Sequence, residues 1–459
     1  MSQLQTVEVG AKEIRLGLQN RVEVPAIKLG SRPWKGYEKI LFRFVFIYFV
    51  IQAVPLDWKY YRDLLSLDWS PLSVVDFFYL ARYTPRFFSE VPVFADWFAV
   101  GLIAAVGTFI WSVLDRSRRE YDDLYYVLRV IVRYRLALAL LAYGFIKFYP
   151  IQAPFPSISD LNTNYGDLTA WKIFSLSLGI VPGYQSFLGL VEIVAALLLL
   201  NRKTASIGAF IILPLTGNVF VSNLAYEGGE YVYSFLIITF ALFLFAYDVK
   251  RIARLTSFER PTSPNTYRPS FKLPWQKYGR LVAKSLFLIL FVFVLGLTAR
   301  IGYKNAGLVY PSAPGLAGVE GIYNVELYRV NQQDIPPSET DPVRWRDVVF
   351  EKWNTISIRR NTKAQVLAAG TTELGKGEYE YSETAGREFY SYEFDTVNHV
   401  LTFKAHNTSQ ELPPLNYTQP DKNTITLSNG STEILLRKID KKYLLNEAAK
   451  SGRRRGLKL

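Results

Sequence analysis

The sequence predicts an α-helical polytopic membrane bundle of about seven transmembrane helices, followed by a C-terminal all-β antiparallel barrel or sandwich domain. Three observations carry that prediction. Long, aromatic-rich apolar runs recur up to about residue 300, then give way to polar sequence alternating with period two. Short basic segments fall between alternate apolar runs, as the cytoplasmic bias of Lys and Arg requires. Half of the 459 residues are hydrophobic and the formal net charge is +13; helix flanks account for that charge without nucleic acid as a partner.

Residues 1–36 read as a polar, basic cytoplasmic tail without the apolar core of a cleavable signal peptide. The region 37–132 holds two crossings: Ile40–Val54, halted by Pro55, and Val93–Leu114, closed by the basic stretch Asp115–Arg119. Between them, 56–92 mixes Asp57, Lys59, Arg62, Asp63 and Asp68 with Trp58, Tyr60, Tyr61 and Trp69. That stretch is too polar to span and reads as an outer interfacial segment.

Residues 133–250 carry four further crossings: Leu136–Phe148, Tyr184–Leu200, Thr204–Leu224 and Tyr231–Tyr247. A basic cytoplasmic loop, 251–280, leads to a seventh crossing within 281–299. The tail, 115–119, 201–203 and 248–280 then all share one side. This predicts a multi-pass protein of a bacterial inner (cytoplasmic) membrane, N-terminus cytoplasmic, with the chain beyond residue 300 extracytoplasmic.

Residues 305–445 read as the extracytoplasmic β-domain, with alternating strands at Asn324–Val330, Thr355–Arg360, Phe389–Phe394, Val400–Lys404, Thr424–Leu427 and Glu433–Ile439. Turn formers separate them at Gly375–Gly377, Asp395–Asn398, Pro413–Pro414 and Asn429–Gly430. Trp345 and the aromatic run Phe389–Tyr392 read as barrel core; a barrel holding a small lipophile is a further possibility. Residues 446–459 form a basic tail.

Cysteine is absent, which removes disulfides, thiol relays and iron–sulfur clusters from this chain. His399 and His406 lie in the polar part and the single Met is residue 1, so no haem ligand falls within a crossing and no metal set is completed. No nucleophile with its base, phosphate loop or paired carboxylates stands out, so no catalytic residue is assigned.

The candidate site is instead an intramembrane polar cluster: Glu192, Lys147, Arg135, Asn218 and Asn223. A charge at mid-membrane depth costs about 2.5–3.5 kcal/mol on insertion scales, so Glu192 should face a partner inside the bundle. Its carboxylate either pairs structurally with Lys147, Arg135 or a tyrosine, or binds a quinone head group. Lys147 alone could simply extend to the membrane surface. Asn218 and Asn223 read as interhelical hydrogen-bonding groups. Glu227 and Glu230 read either as a solvated acidic turn or, with Tyr231, as an outer vestibule at the bundle mouth beside Lys147.

The run Arg135–Lys147, with Tyr143, Gly144 and the closing lysine, resembles the first helix of the DoxX family of four-helix membrane proteins. Gly189–Glu192 followed by Leu197–Leu200 and the basic turn Asn201–Lys203 is similar to that family's second helix and turn, and Asn218 through Tyr231 to the segment before its fourth helix. The resemblance covers roughly residues 130–248, about a quarter of the chain. It implies a DoxX-like scaffold or accessory subunit of a cell-envelope complex, the β-domain docking an outer protein partner. The alternative it implies is a quinone-interacting membrane subunit of an oxidoreductase system, with quinone as cofactor.

Overall fold

The computed structural model describes residues 34–66, 73–263, 273–305, 308–367, 377–443 and 445. Gly36–Ala53 (α1) opens the helical part, followed by Trp58–Leu65 (α2), Val74–Ala81 (α3), Phe94–Leu114 (α4) and Asp122–Phe148 (α5). Two shorter helices, Ile158–Leu161 (α6) and Ala170–Gly179 (α7), precede Pro182–Leu199 (α8), Ala205–Ala225 (α9) and Tyr231–Thr256 (α10). Pro274–Leu288 (α11) continues through a π-helical turn, Ile289–Val294, into Leu295–Lys304 (α12).

Among the described residues, six helical segments are long and apolar enough to cross a membrane: Gly36–Leu65, Phe94–Leu114, Pro182–Leu199, Ala205–Ala225, Tyr231–Thr256 and Tyr278–Lys304. The expected crossing Leu136–Phe148 lies in α5, which is not among the six. That helix extends back to Asp122 and carries Arg129, Arg133, Arg135 and Lys147. Protein surrounds much of it: α5 packs against α1, α3, α8, α10 and α12, and Leu128, Val132, Leu136 and Leu141 are fully buried. Its closest neighbour is α8. A Cβ on Gly189 would stand 2.3 Å from Phe148 N and 2.5 Å from Gly144 O, so glycine there sets the helix separation.

The stretch 56–92 divides in two. Helix α2 has no buried residue. Helix α3 does not lie on a surface: Val74, Phe77, Phe78 and Ala81 are buried against α5 and α12. Ser73 and Asp76 cap its start reciprocally. At its other end Arg135 donates to Ala81 O at 2.5 Å and to Tyr83 O at 2.7 Å. These carbonyls supply acceptors that a buried guanidinium would otherwise lack. Asp68 and Trp69 lie outside the described residues.

In the C-terminal region, eight antiparallel strands close into a barrel: Gly321–Val330 (β1), then, after the two-residue Gln333–Asp334 (β2) hairpinned onto β1, Asp347–Phe350 (β3), Thr355–Arg359 (β4), Glu388–Asp395 (β5), Val400–Ala405 (β6), Leu415–Asp421 (β7), Thr424–Ser428 (β8) and Thr432–Lys438 (β9). Neighbours in sequence pair throughout, and β9 returns to β1 from Tyr323↔Lys438 to Val330↔Thr432, which removes the free edges. Tyr323, Trp345, Phe350, Tyr390, Tyr392 and Leu436 belong to its buried core. Strands β3 and β7 were absent from the sequence expectation. The first is four buried residues without alternation, and the second follows Pro413–Pro414 directly. The expected tails 1–33 and 446–459, and the turn residues Gly375 and Lys376, lie outside the described residues.

Candidate functional site

Near the barrel, α5, α8, α9 and α10 enclose a cavity of about 230 Å³, with α7 across it. Lys147 is in the last turn of α5, but helical side chains lean toward the N-terminus, which brings its ammonium back to the level of α8 beyond Gly189. There it donates to Glu192 Oε1 at 2.5 Å, the two side chains being 12% and 5% exposed. Glu192 Oε2 is buried and has no hydrogen-bond partner. A second carboxylate, Glu230, lines the same cavity, accepts from the Tyr143 hydroxyl at 3.0 Å and forms an ion pair with Arg82. Arg82 also borders a second cavity of about 460 Å³ between α2, α3 and residues 82–92, so this ion pair stands between the two spaces.

Of the residues singled out in the sequence, Glu192, Lys147, Asn218, Asn223 and Glu230 converge on the first cavity. The two asparagines differ in their contacts. Asn223 donates to Val219 O within α9 and accepts from the Glu230 N–H, so it shapes the turn that presents Glu230. Asn218 is exposed at the cavity wall, and no interhelical hydrogen bond to it occurs among the described residues. Arg135 is not in the cavity but holds the end of α3. Glu227 is exposed, and Tyr231 packs against the Phe94 ring at 5.9 Å; neither lines the cavity.

The structure adds Tyr143, Tyr233, Trp171 and Arg82 to this site. Tyr143 precedes Lys147 by one turn, a spacing that already put both on one helix face. Nothing local marks Arg82, which is 148 residues from Glu230.

Helix α7 ties this cavity to the barrel. Trp171, Phe174 and Leu178, at spacings of three and four, line the cavity. From the same helix, Lys172 donates to Tyr379 O at 2.6 Å and lies 3.3 Å from Asp160 Oδ1, while Ser175 bonds the Tyr379 hydroxyl at 2.8 Å. Asp160, Lys172 and their surroundings belong to a buried polar seam between residues 157–175 and the barrel. Glu351 accepts from Ser159 N and Ser159 Oγ, both at 2.7 Å. Arg387 pairs with Asp347 at 2.7 Å and donates to Asn162 O. Glu380 accepts from Thr355 Oγ1 at 2.6 Å and Trp353 Nε1 at 2.7 Å. Burial pushes the Glu380 carboxyl up to about 8, with the nearby Glu351 and Asp160 charges adding to the rise. Burial likewise raises Glu351, against the Ser159 hydrogen bonds.

These features define an apolar helical bundle joined through a polar seam to a closed eight-stranded barrel. No protein-family model matches the chain, and no solved structure matches it. The chain is similar to the uncharacterized protein YwoB of Bacillus subtilis (strain 168), 33% identical over 86 residues, which is 19% of this chain and 53% of that protein. The chain thus spans about half the length of this curated relative.

Proposed function

We propose that the bundle binds a small, hydroxyl-bearing lipophile beside the Glu192–Lys147 pair, and that the barrel is an extracytoplasmic domain docking a protein partner. One observation carries the reading: a buried carboxylate oxygen, Glu192 Oε2, lacks a donor and belongs to a residue lining a cavity with largely apolar walls. An unpaired buried acceptor is costly, and a ligand O–H would satisfy it. A cavity of about 230 Å³ lies below the roughly 300–1,000 Å³ of drug-sized sites, so it suits a head group whose tail extends into lipid. The residues fit a reduced quinone or similar phenol: Glu192 accepts, Lys147 retains N–H donors, and the stacked Trp171 and Phe174 supply aromatic wall. Such a group would supply redox chemistry when bound. This chain's own part is binding and orientation, consistent with a DoxX-like accessory subunit.

The reading includes seven crossings. Helix α5 spans as the protein-shielded member, the N-terminus and basic loops are cytoplasmic, and α3 enters the bundle from the opposite side. The test of the site uses the full chain in mild detergent, titrated with a short-chain hydroquinone and with its dimethyl ether, which lacks O–H donors. A hydrogen bond to a charged group predicts that the hydroquinone binds about tenfold to a hundredfold tighter. Equal affinities would overturn the assignment.

A further inference from the structure

The end of α5 away from the barrel carries arginines for which the cavity has no use. Arg129 and Arg133 stand one turn apart on that helix, both half-buried. The Arg129 guanidinium lies 3.3 Å from the centre of the Tyr247 ring, and that of Arg133 lies 5.6 Å from the Tyr134 ring. Neither forms an ion pair among the described residues. Asp248, the residue after Tyr247 on α10, is already held by Arg251 at 2.6 Å and by Ser206. The Nε atoms of Arg129 and Arg133 are buried without an acceptor.

Two neighbouring cations repel one another, and partial burial leaves them less solvated than surface arginines. An anion between them removes both penalties, and the surroundings indicate where it comes from. Tyr134 meets Phe287 of α11 edge-on at 5.0 Å. Leu281 and Val282, one to two turns along α11 from Phe287, are 62% and 64% exposed, and Val127 beside Arg129 is 45% exposed. The arginines are thus flanked by apolar surface that water would not favour and hydrocarbon would.

We propose that Arg129 and Arg133 bind the phosphate of an anionic membrane lipid, its acyl chains lying along α5 and α11. Guanidinium groups suit this ligand because their planar N–H pairs match phosphate oxygens. The phosphate is that of a lipid in the leaflet at the far end of the bundle, and the site is independent of the Glu192 cavity.

Native mass spectrometry of the full chain in detergent, titrated with phosphatidylglycerol or phosphatidylcholine, tests this directly. Each arginine near a phosphate contributes enough that Arg129→Gln with Arg133→Gln should weaken phosphatidylglycerol binding about thirtyfold. Removing two other charges, Arg116→Gln with Lys203→Gln, should change it less than about threefold, because diffuse charge is screened. If the double neutral variant does not accumulate, Arg133→Gln alone should weaken binding about fivefold. Equal losses in the control pair, no loss in the arginine variants, or no preference over phosphatidylcholine would overturn the proposal. Displacement of the lipid by millimolar inorganic phosphate would overturn its lipid component.

Discussion

Glu380 makes a quantitative prediction about pH. The carboxyl is fully buried, and burial raises it to about 8, whereas an exposed glutamate titrates near 4.5. Between those two values the closed structure holds a proton that the opened, hydrated segment releases. The opened state therefore binds fewer protons, and the free energy of opening falls as pH rises. Each pH unit in that window is worth up to about 1.4 kcal/mol, so going from pH 6 to 7.5 should weaken the seam by about 2 kcal/mol. The carboxyl's contacts, accepting from Thr355 Oγ1 and from Trp353 Nε1, do not outweigh that burial. Glu351, raised in the same direction, adds to the trend. Hydrogen exchange of residues 377–395 in the full chain, corrected for the intrinsic pH dependence of exchange, measures this opening. It should occur about thirtyfold more often at pH 7.5 than at pH 6. Glu380→Gln, which keeps a donor and an acceptor, should remove most of the slope. Corrected exchange that is flat or slows over this range, or an undiminished slope in the glutamine variant, would refute the reasoning.

Two other outcomes follow from the bundle. Gly189→Ala should force α5 and α8 apart, since the obstructing atoms are backbone, and lower stability by about 1–3 kcal/mol, read as a fall in melting temperature. Gly183→Ala, with nothing within 4 Å of its Cβ, is the matched control and should melt as wild type does. For the proposed orientation, a reporter active only outside the cytoplasm should work when fused after Val330 and be silent when fused at Thr262; the reverse pattern would invert the topology.

By itself the sequence determined the two-part organisation and many of the element positions. The strands around Tyr328, Ile356, Tyr390, Leu401, Ile425 and Leu436 were legible because a half-buried strand alternates, and helix runs were legible because apolar length is a local property. Glu192 was conspicuous for the same reason, as a carboxylate in an apolar helix, but Lys147, Arg135 and a tyrosine all stood open as its partner. Tertiary structure decided what those groups face. The Glu192–Lys147 contact depends on the close packing of Gly144 and Gly189, and the carbonyl partners of Arg135 come from more than fifty residues away. Helix α3 looks like a surface segment in sequence because its neighbours are polar, yet α5 and α12 bury it. The seam joining 157–175 to the barrel was invisible for a related reason. Nothing local marks Ser159, Asp160 and Lys172 as buried; Glu351 and Tyr379, about two hundred residues further on, supply partners to Ser159 and Lys172, and Lys172 in turn lies against Asp160. Periodicity records which side of an element is apolar. Only the packed chain determines which distant group meets a polar one, because burial and hydrogen bonding across that distance are set by the fold.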